Sequence, residues 1–341
     1  MKRTFHILTP RDLPRTLSIV IPLYNEEDVL PLLIERLRSL MADLPCPVEI
    51  ILVNDGSSDR TIAILHEVSR EDTRFKVLGL ARNFGHQLAA TAGLDAARGD
   101  AVVLMDADLQ DPPELVGEMI VEYRKGYDVV YALRVKREGD TVFKRFSAWL
   151  FYRMMRALVY KDLPADVGDY RLISRRCLDA LSSMRETHRF LRGMVSWVGF
   201  PQTAVPFVRA HRAAGQTKYP LSKMLRFAWT AAVSFSPLPL RLSLIVGGSL
   251  FVIGFLYTLY AIGRLLLGYY LVPGWTSVII LNCLTGGTIL LGIGVLGEYV
   301  ARIFEEIKAR PLYIVSDTLN MGDTLASQES RPPIEQQFHG R

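Results

Sequence analysis

"VLMDADLQDPPE", residues 103–114, is the stretch on which the fold and the chemistry both turn. An apolar run ends in three aspartates within six residues: Asp106, Asp108 and Asp111. Carboxylates this close repel one another, and a cation between them removes the repulsion. Asp106 and Asp108 flank one small residue, so in an extended segment they point to the same side. Asp106 still belongs to the apolar run, which a solvated turn does not explain. Asp111 precedes Pro112 and Pro113 and reads as a cap for the next helix. Two carboxylates at one strand end suit Mg²⁺ or Mn²⁺, hard cations that take oxygen ligands and keep positions open for phosphates.

Working outward, four more apolar runs share the pattern: "LSIVIP" (17–22), "VEIILVN" (48–54), "FKVLGL" (75–80) and "DVVYAL" (128–133). With "AVVLMD" (101–106) they are rich in β-branched residues and almost unbroken in apolarity. Strands covered on both faces, as in a parallel sheet, look like this. Segments with helical spacing lie between them, at 26–41, 58–70, 84–98 and 113–125. The alternation predicts an α/β fold with a doubly wound, Rossmann-like sheet. Ligands of such sheets bind beyond the carboxyl ends of the strands. "YNEED" (24–28), "NDGSSD" (54–59) and "DADLQD" (106–111) all follow strand ends, so polar and acidic residues collect on that edge.

The rest of the chain has a different character. Half of the 341 residues are hydrophobic and the formal net charge is +5. The balance favours anionic partners such as phosphates, nucleotides or acidic lipids. Cys46, Cys177 and Cys283 are odd in number and widely spaced, so neither a disulfide framework nor a zinc site is expected. Residues 1–16 form an extension without the apolar core of a signal peptide. The segments 141–160 and 221–233 mix basic and aromatic residues, as helices lying in a membrane interface do. Residues 242–263 carry no charge and are bracketed by Arg241 and Arg264. A second uncharged stretch, 276–297, follows the turn-like "YYLVPGW" (269–275). About 20 apolar residues cross a bilayer core, so two membrane-spanning helices are expected. Lys218, Lys223, Arg226 and Arg241 precede the first, while Arg302, Lys308 and Arg310 follow the second. That bias puts both termini and the α/β domain on the cytoplasmic side. The tail after about Val315 is polar and reads as disordered. "GIGVLG" (292–297) matches a dinucleotide fingerprint, but it lies within a spanning run, where glycines serve close helix packing.

The combination of motifs is more specific than any single one. "SIVIPLYNEE" (18–27), "VNDGSSD" (53–59) and "DADLQDPPE" (106–114), in this order, resemble the family 2 glycosyltransferases with a GT-A fold. "GDYRLISR" (168–175), "HRAAGQTKY" (211–219) and "GEYVARIFEEIKARPLYIV" (297–315) resemble the polyprenyl-phosphate branch. That branch includes dolichol-phosphate mannose synthases and the bacterial bactoprenol glucosyltransferases. The resemblance spans roughly residues 17–315. It implies a cytoplasmic GT-A domain over 17–220 and an interfacial juxtamembrane helix over 221–240. Two transmembrane helices would follow within 241–298, then a cytoplasmic helix and tail over 299–341.

Site roles come from the same resemblance. Pro22, Tyr24, Glu26, Val53 and Asp55 would hold the base and ribose of a nucleotide sugar, and Asp106 and Ala107 would line that site. Independently, Asp55 and Glu26 can accept hydrogen bonds from ribose hydroxyls, and Tyr24 offers a flat face. Asp106, Asp108 and Gln110 would take the metal, Mg²⁺ or Mn²⁺. Arg212 and Lys218 would reach the diphosphate, as an Arg fork and a Lys point charge suit phosphate oxygens. Arg134, Lys144 and Ser147 would bind the acceptor phosphate, with Arg145 as an alternative to Lys144. His86 lies near a helix start and could approach the diphosphate, whereas His188 and His211 read as loop residues.

The expected reaction is inverting transfer of a sugar, with UDP-glucose as the first choice of donor, to undecaprenyl phosphate at the cytoplasmic face of a bacterial inner membrane. Aminoarabinose derivatives and mannose are the alternative sugars. A phosphate monoester has its second pKa near about 6 and is already anionic, so a strong base is not required. Asp108 and Asp169 are the catalytic candidates, and Asp169 serves equally well as a base or as a partner of Arg171. The resemblance also implies a homotetramer, and no nucleic acid partner is called for. A processive polysaccharide synthase is disfavoured because no QxxRW motif is present. A non-catalytic membrane scaffold is disfavoured by the intact Asp-x-Asp and basic residues.

Overall fold

The computed structural model describes residues 8–136, 167–208, 238–267 and 274–322. The basic aromatic segments 141–160 and 221–233 lie outside them. The chain divides into two compact units. The first comprises 1–141, 163–217 and 311–341, and the second 142–162 and 218–310.

The first unit is built on one eight-stranded mixed sheet among the described residues. Its strands are β1 (Leu17–Leu23), β2 (Val48–Asn54), β3 (Phe75–Leu80), β4 (Ala101–Leu104), β5 (Val129–Lys136), β6 (Val167–Ser174), β7 (Gln202–Val208) and β8 (Val315–Leu319). The spatial order is β7-β5-β6-β4-β1-β2-β3-β8. Strands β4, β1, β2 and β3 run parallel, as expected. Two strands depart from the parallel pattern. Strand β6 lies antiparallel between β4 and β5, and β8 pairs antiparallel with β3 at the edge. Strand β6 escaped a hydrophobicity reading because Gly168, Asp169 and Arg171 interrupt its run. Strand β8 corrects the disordered tail at Val315–Leu319. It is mostly exposed and polar, and the sheet edge alone gives its backbone partners.

The strands are apolar on both faces because both faces are covered. Leu17, Ile19, Ile21, Ile50 and Leu52 pack beneath α1 (Leu30–Asp43), α2 (Thr61–Glu71) and α4 (Leu115–Arg124). Val20, Ile51, Val53 and Ile173 pack on the other face with α3 (His86–Ala96), α5 (Arg175–Ser183) and α6 (Leu191–Val198). Helix α3 lies especially close to the sheet. A Cβ at Gly93 would meet Val20 Cγ1 at 2.3 Å and Val53 Cγ2 at 2.8 Å. Gly93→Ala is therefore expected to destabilise the chain by about 1–3 kcal/mol through overpacking. A drop in melting temperature checks this, and an unchanged value would show that the helix can retreat freely.

The second unit contains α7 (Leu238–Leu266) and α8 (Trp275–Ile307). The two helices approach closely where a Cβ on Gly292 would come within 2.9 Å of Ser243 Oγ, while Gly294 and Gly297 face open space. Leu244, Leu290 and Leu291 are each more than two-thirds exposed. Among the described residues one stretch, Leu284–Ile307, is long and apolar enough to cross a membrane. Leu242–Tyr257 is a shorter apolar helix, so the expectation of two spans is met by one helix of sufficient length and one that falls short.

Candidate active site

The chain leaves β1 for β2 on one side, and β4 returns to the other side of β1. Such a switch of direction opens a crevice at the carboxyl ends, where ligands of doubly wound sheets bind. Two of the loops above this edge are laced together. Asn25 N–H donates to Ser57 Oγ at 3.0 Å, and Ser58 N–H donates to Asn25 Oδ1 at 2.8 Å. Glu27 N–H donates to Asp59 at 3.2 Å, and Arg60 N–H returns a bond to Glu27 at 2.9 Å. Glu27 and Asp59 thus fix the two loops to each other. Asn25 takes a left-handed backbone (φ 55°), as its residue type tolerates.

The nucleotide candidates fall into two groups. Tyr24 is half-exposed and Glu26 partly so, both beyond the end of β1. Pro22 pairs with Val53 in the β1–β2 ladder, and the Val53 side chain packs in the core against α3. Asp55 is buried, and its two oxygens accept the backbone N–H groups of Phe84 (2.7 Å) and Gly85 (2.9 Å). In this structure the Asp55 carboxylate ties β2 to the start of α3. Burial pushes its pKa up against those two donors.

Beyond β4 the motif bends sharply. Asp106 is one-third exposed, Ala107 is buried, and Asp108 Oδ1 accepts the Gln110 N–H at 3.1 Å. Leu109 adopts φ 57°, rare for a side chain with no polar group to bond locally. Asp111 is fully buried, and α4 begins at Leu115 with Glu114 at its N-cap. The expected helix cap at Asp111 is therefore corrected: it sits under the turn, near the buried Tyr170, whose hydroxyl donates to the Pro112 carbonyl at 2.8 Å. Burial raises the pKa of Asp106, and the negative charges of Asp169 and Asp108 raise it further, against His86 and Arg192. The described residues contain no group of three or more His, Cys, Asp or Glu able to hold an ion alone.

Strand β6 contributes the feature that spacing did not reveal. Asp169 and Arg171 share one face of β6, which α3 and α6 cover. The Asp169 carboxylate is buried and accepts bonds from Arg192 Nε (2.7 Å), Arg192 Nη2 (3.3 Å) and Gln87 Nε2 (3.1 Å). The Arg171 guanidinium lies 3.8 Å away and also donates to the Gly168 and Asp169 carbonyls. Burial alone would raise the Asp169 pKa, but the bond to His86 and the Arg192 and Arg171 charges hold it far below the usual carboxylate range. Burial also pushes the Arg171 pKa down to about 10. His86 opens α3 with Nε2 at 3.5 Å from both Asp106 and Asp169. Burial disfavours its charged form, yet Asp169 and Asp106 outweigh that and raise its pKa. Of the alternatives left open for Asp169, the geometry favours the partner of arginines. The sequence reading missed Gln87 and Arg192, although the basic, apolar "RFLRG" (189–193) was visible. The Arg134 backbone lies in β5, while Lys144, Ser147, Arg212 and Lys218 lie outside the described residues.

Residues 18–182 match the family model described as glycosyl transferase family 2. A Bacillus subtilis protein named uncharacterized glycosyltransferase YkcC is 48% identical over 87% of this chain and 92% of its own length. The bactoprenol glucosyl transferase from a Shigella flexneri prophage is 38% identical over 88% of this chain and 97% of its own. A solved Mycobacterium tuberculosis glucosyl-3-phosphoglycerate synthase, in complex with Mn²⁺, UDP and phosphoglyceric acid, shares 22% identity. It covers 64% of this chain and 76% of that one, with a TM-score of 0.46. A mixed α/β sheet with its polar crevice at the β1–β4 switch, joined to identity of this extent, leaves one assignment: the chain belongs to glycosyl transferase family 2 and is a glycosyltransferase.

Proposed function

We propose that the chain transfers glucose from UDP-glucose to polyprenyl phosphate at a membrane surface. The observation that carries this is the cluster beyond β4, where Asp106, with Asp108 near it, lies within electrostatic reach of a fixed Asp169–Arg192 pair. The bactoprenol glucosyl transferase relative, matched over nearly its whole length, supports glucose and a polyprenyl acceptor. The exposed apolar surface of Leu284–Ile307 supports a membrane setting. The basic flanks of the two helical regions favour a cytoplasmic catalytic unit. Two spans and a homotetramer belong to this reading as well.

The donor set fits a divalent cation. It is all oxygen, partly open, and holds carboxylates close enough to oppose each other's ionisation. Asp106 and Asp108, with Gln110 beside them, would hold Mg²⁺ or Mn²⁺, which supplies positive charge to a diphosphate. Tyr24 and Glu26 would contact the nucleoside. Pro22, Val53 and Asp55 complete that nucleoside set in this reading, and the Asp55 carboxylate also ties β2 to the start of α3. Arg212 and Lys218 would bind the diphosphate, and Arg134, Lys144 and Ser147 the acceptor. An oxygen of the anionic acceptor phosphate forms the new bond to the anomeric carbon as the bond to UDP breaks, with inversion. No protein base is needed, because the acceptor phosphate monoester is already anionic. The test is an assay of the full chain with undecaprenyl phosphate and a panel of UDP- and GDP-sugars, with analysis of the lipid product. One glucose per lipid is expected. Product only from another donor would overturn the sugar, and chains of several sugars would overturn single transfer.

A further inference from the structure

We infer that Arg192 is an anion-binding residue of this crevice, aimed by Asp169 at substrate phosphate oxygens. This rests on the transfer reading above and adds a cation that neither the motifs nor the relatives assign. Arg192 is the second residue of α6. Its Nε and Nη2 grip the two Asp169 oxygens at 2.7 and 3.3 Å. Asp169 is itself held by Gln87, and it sits in β6, so the clamp has a rigid base.

Neutralising Asp169 does not account for Arg192. Buried Arg171 already lies 3.8 Å from the same carboxylate, and its side chain is 4% exposed against 37% for Arg192. The more open of the two arginines bonds the carboxylate through its guanidinium more closely. Asp169, which it grips, lies 3.5 Å from Nε2 of His86 at the start of α3, and that nitrogen is also 3.5 Å from Asp106 beyond β4. A guanidinium fixed in plane, one His86 bridge away from Asp106, matches the bidentate geometry of phosphate oxygens. The donor diphosphate and the acceptor phosphate share that chemistry.

The experiment uses the full chain in detergent, as wild type, Arg192→Gln and Arg192→Lys. UDP affinity, KM for UDP-glucose, KM for undecaprenyl phosphate, kcat and melting temperature are measured. Arg192→Gln is expected to weaken one substrate by about 10- to 100-fold, the size of a lost charge-assisted hydrogen bond, with partial recovery in Arg192→Lys. A loss of UDP affinity assigns Arg192 to the diphosphate. A rise confined to the KM of undecaprenyl phosphate assigns it to the acceptor. Unchanged affinities and kcat in Arg192→Gln would overturn the inference. So would equal losses in both variants that follow a fall in melting temperature, since Arg192 would then serve only the fold. Wild-type chain that neither binds UDP nor makes a glycolipid would instead remove the transfer reading, and this inference with it.

Discussion

Asp108→Ala is expected to lower sugar transfer by about 10³-fold, the scale of losing a preorganised charge interaction at a leaving group. Asp108 stands beyond β4 on a backbone turn stabilised by its own bond to the Gln110 N–H. Its charge is one of those that raise the proton affinity of Asp106, so the two carboxylates sense each other. Removing one relieves that repulsion and leaves a half seat for a divalent ion. The variant should fold, because Asp108 is partly exposed. Chelation of divalent ions should cost the wild type a comparable factor and the variant little more. Transfer is measured with labelled UDP-glucose and undecaprenyl phosphate. Full, metal-dependent activity in Asp108→Ala would place the ion elsewhere.

Asp169→Asn is expected to act first on stability. It removes the charge facing buried Arg171 and half-exposed Arg192. Stranding a buried charge costs about 3–5 kcal/mol, which corresponds to a fall in melting temperature on the order of 10 °C. The pH dependence follows from the depressed pKa of Asp169. A carboxylate held low in the folded state contributes stability that is fully present above its unfolded pKa of about 3.9 and is lost as pH falls toward the folded value. The gap between wild type and Asp169→Asn should therefore be constant from about pH 5 to 8 and narrow below about pH 4. Thermal unfolding across that range measures it. The wild-type pH–rate profile should show no acid limb from Asp169 above about pH 4. A gap that instead widened on acidification, or an acid limb abolished by Asp169→Asn, would restore the role of base.

The sequence was most legible where backbone periodicity and covalent order suffice. Runs apolar on both faces made β1 to β4 readable because two helical layers cover them, so no alternation of apolar and polar residues was needed. Asp106 and Asp108 were placed at a strand end by the run they terminate. The exposed apolar helix ending at Ile307 was legible from composition, because length and apolarity alone mark such a helix.

Other features depended on partners far away in the chain. Strand β6 carries Asp169 and Arg171 into the interior. Gln87 on α3, 82 residues before Asp169, and Arg192 on α6, 23 residues after it, join His86 and Arg171 around that carboxylate. Asp55 read as a nucleotide ligand, and only the fold shows that its oxygens also hold the N–H groups of Phe84 and Gly85. Strand β8 is too polar to announce itself and exists because β3 offers an open edge. Local pattern thus determined the central strands, the acidic strand end and the apolar helix. Tertiary structure decided which charged groups pair, because a buried charge takes its energy from neighbours that sequence distance does not reveal.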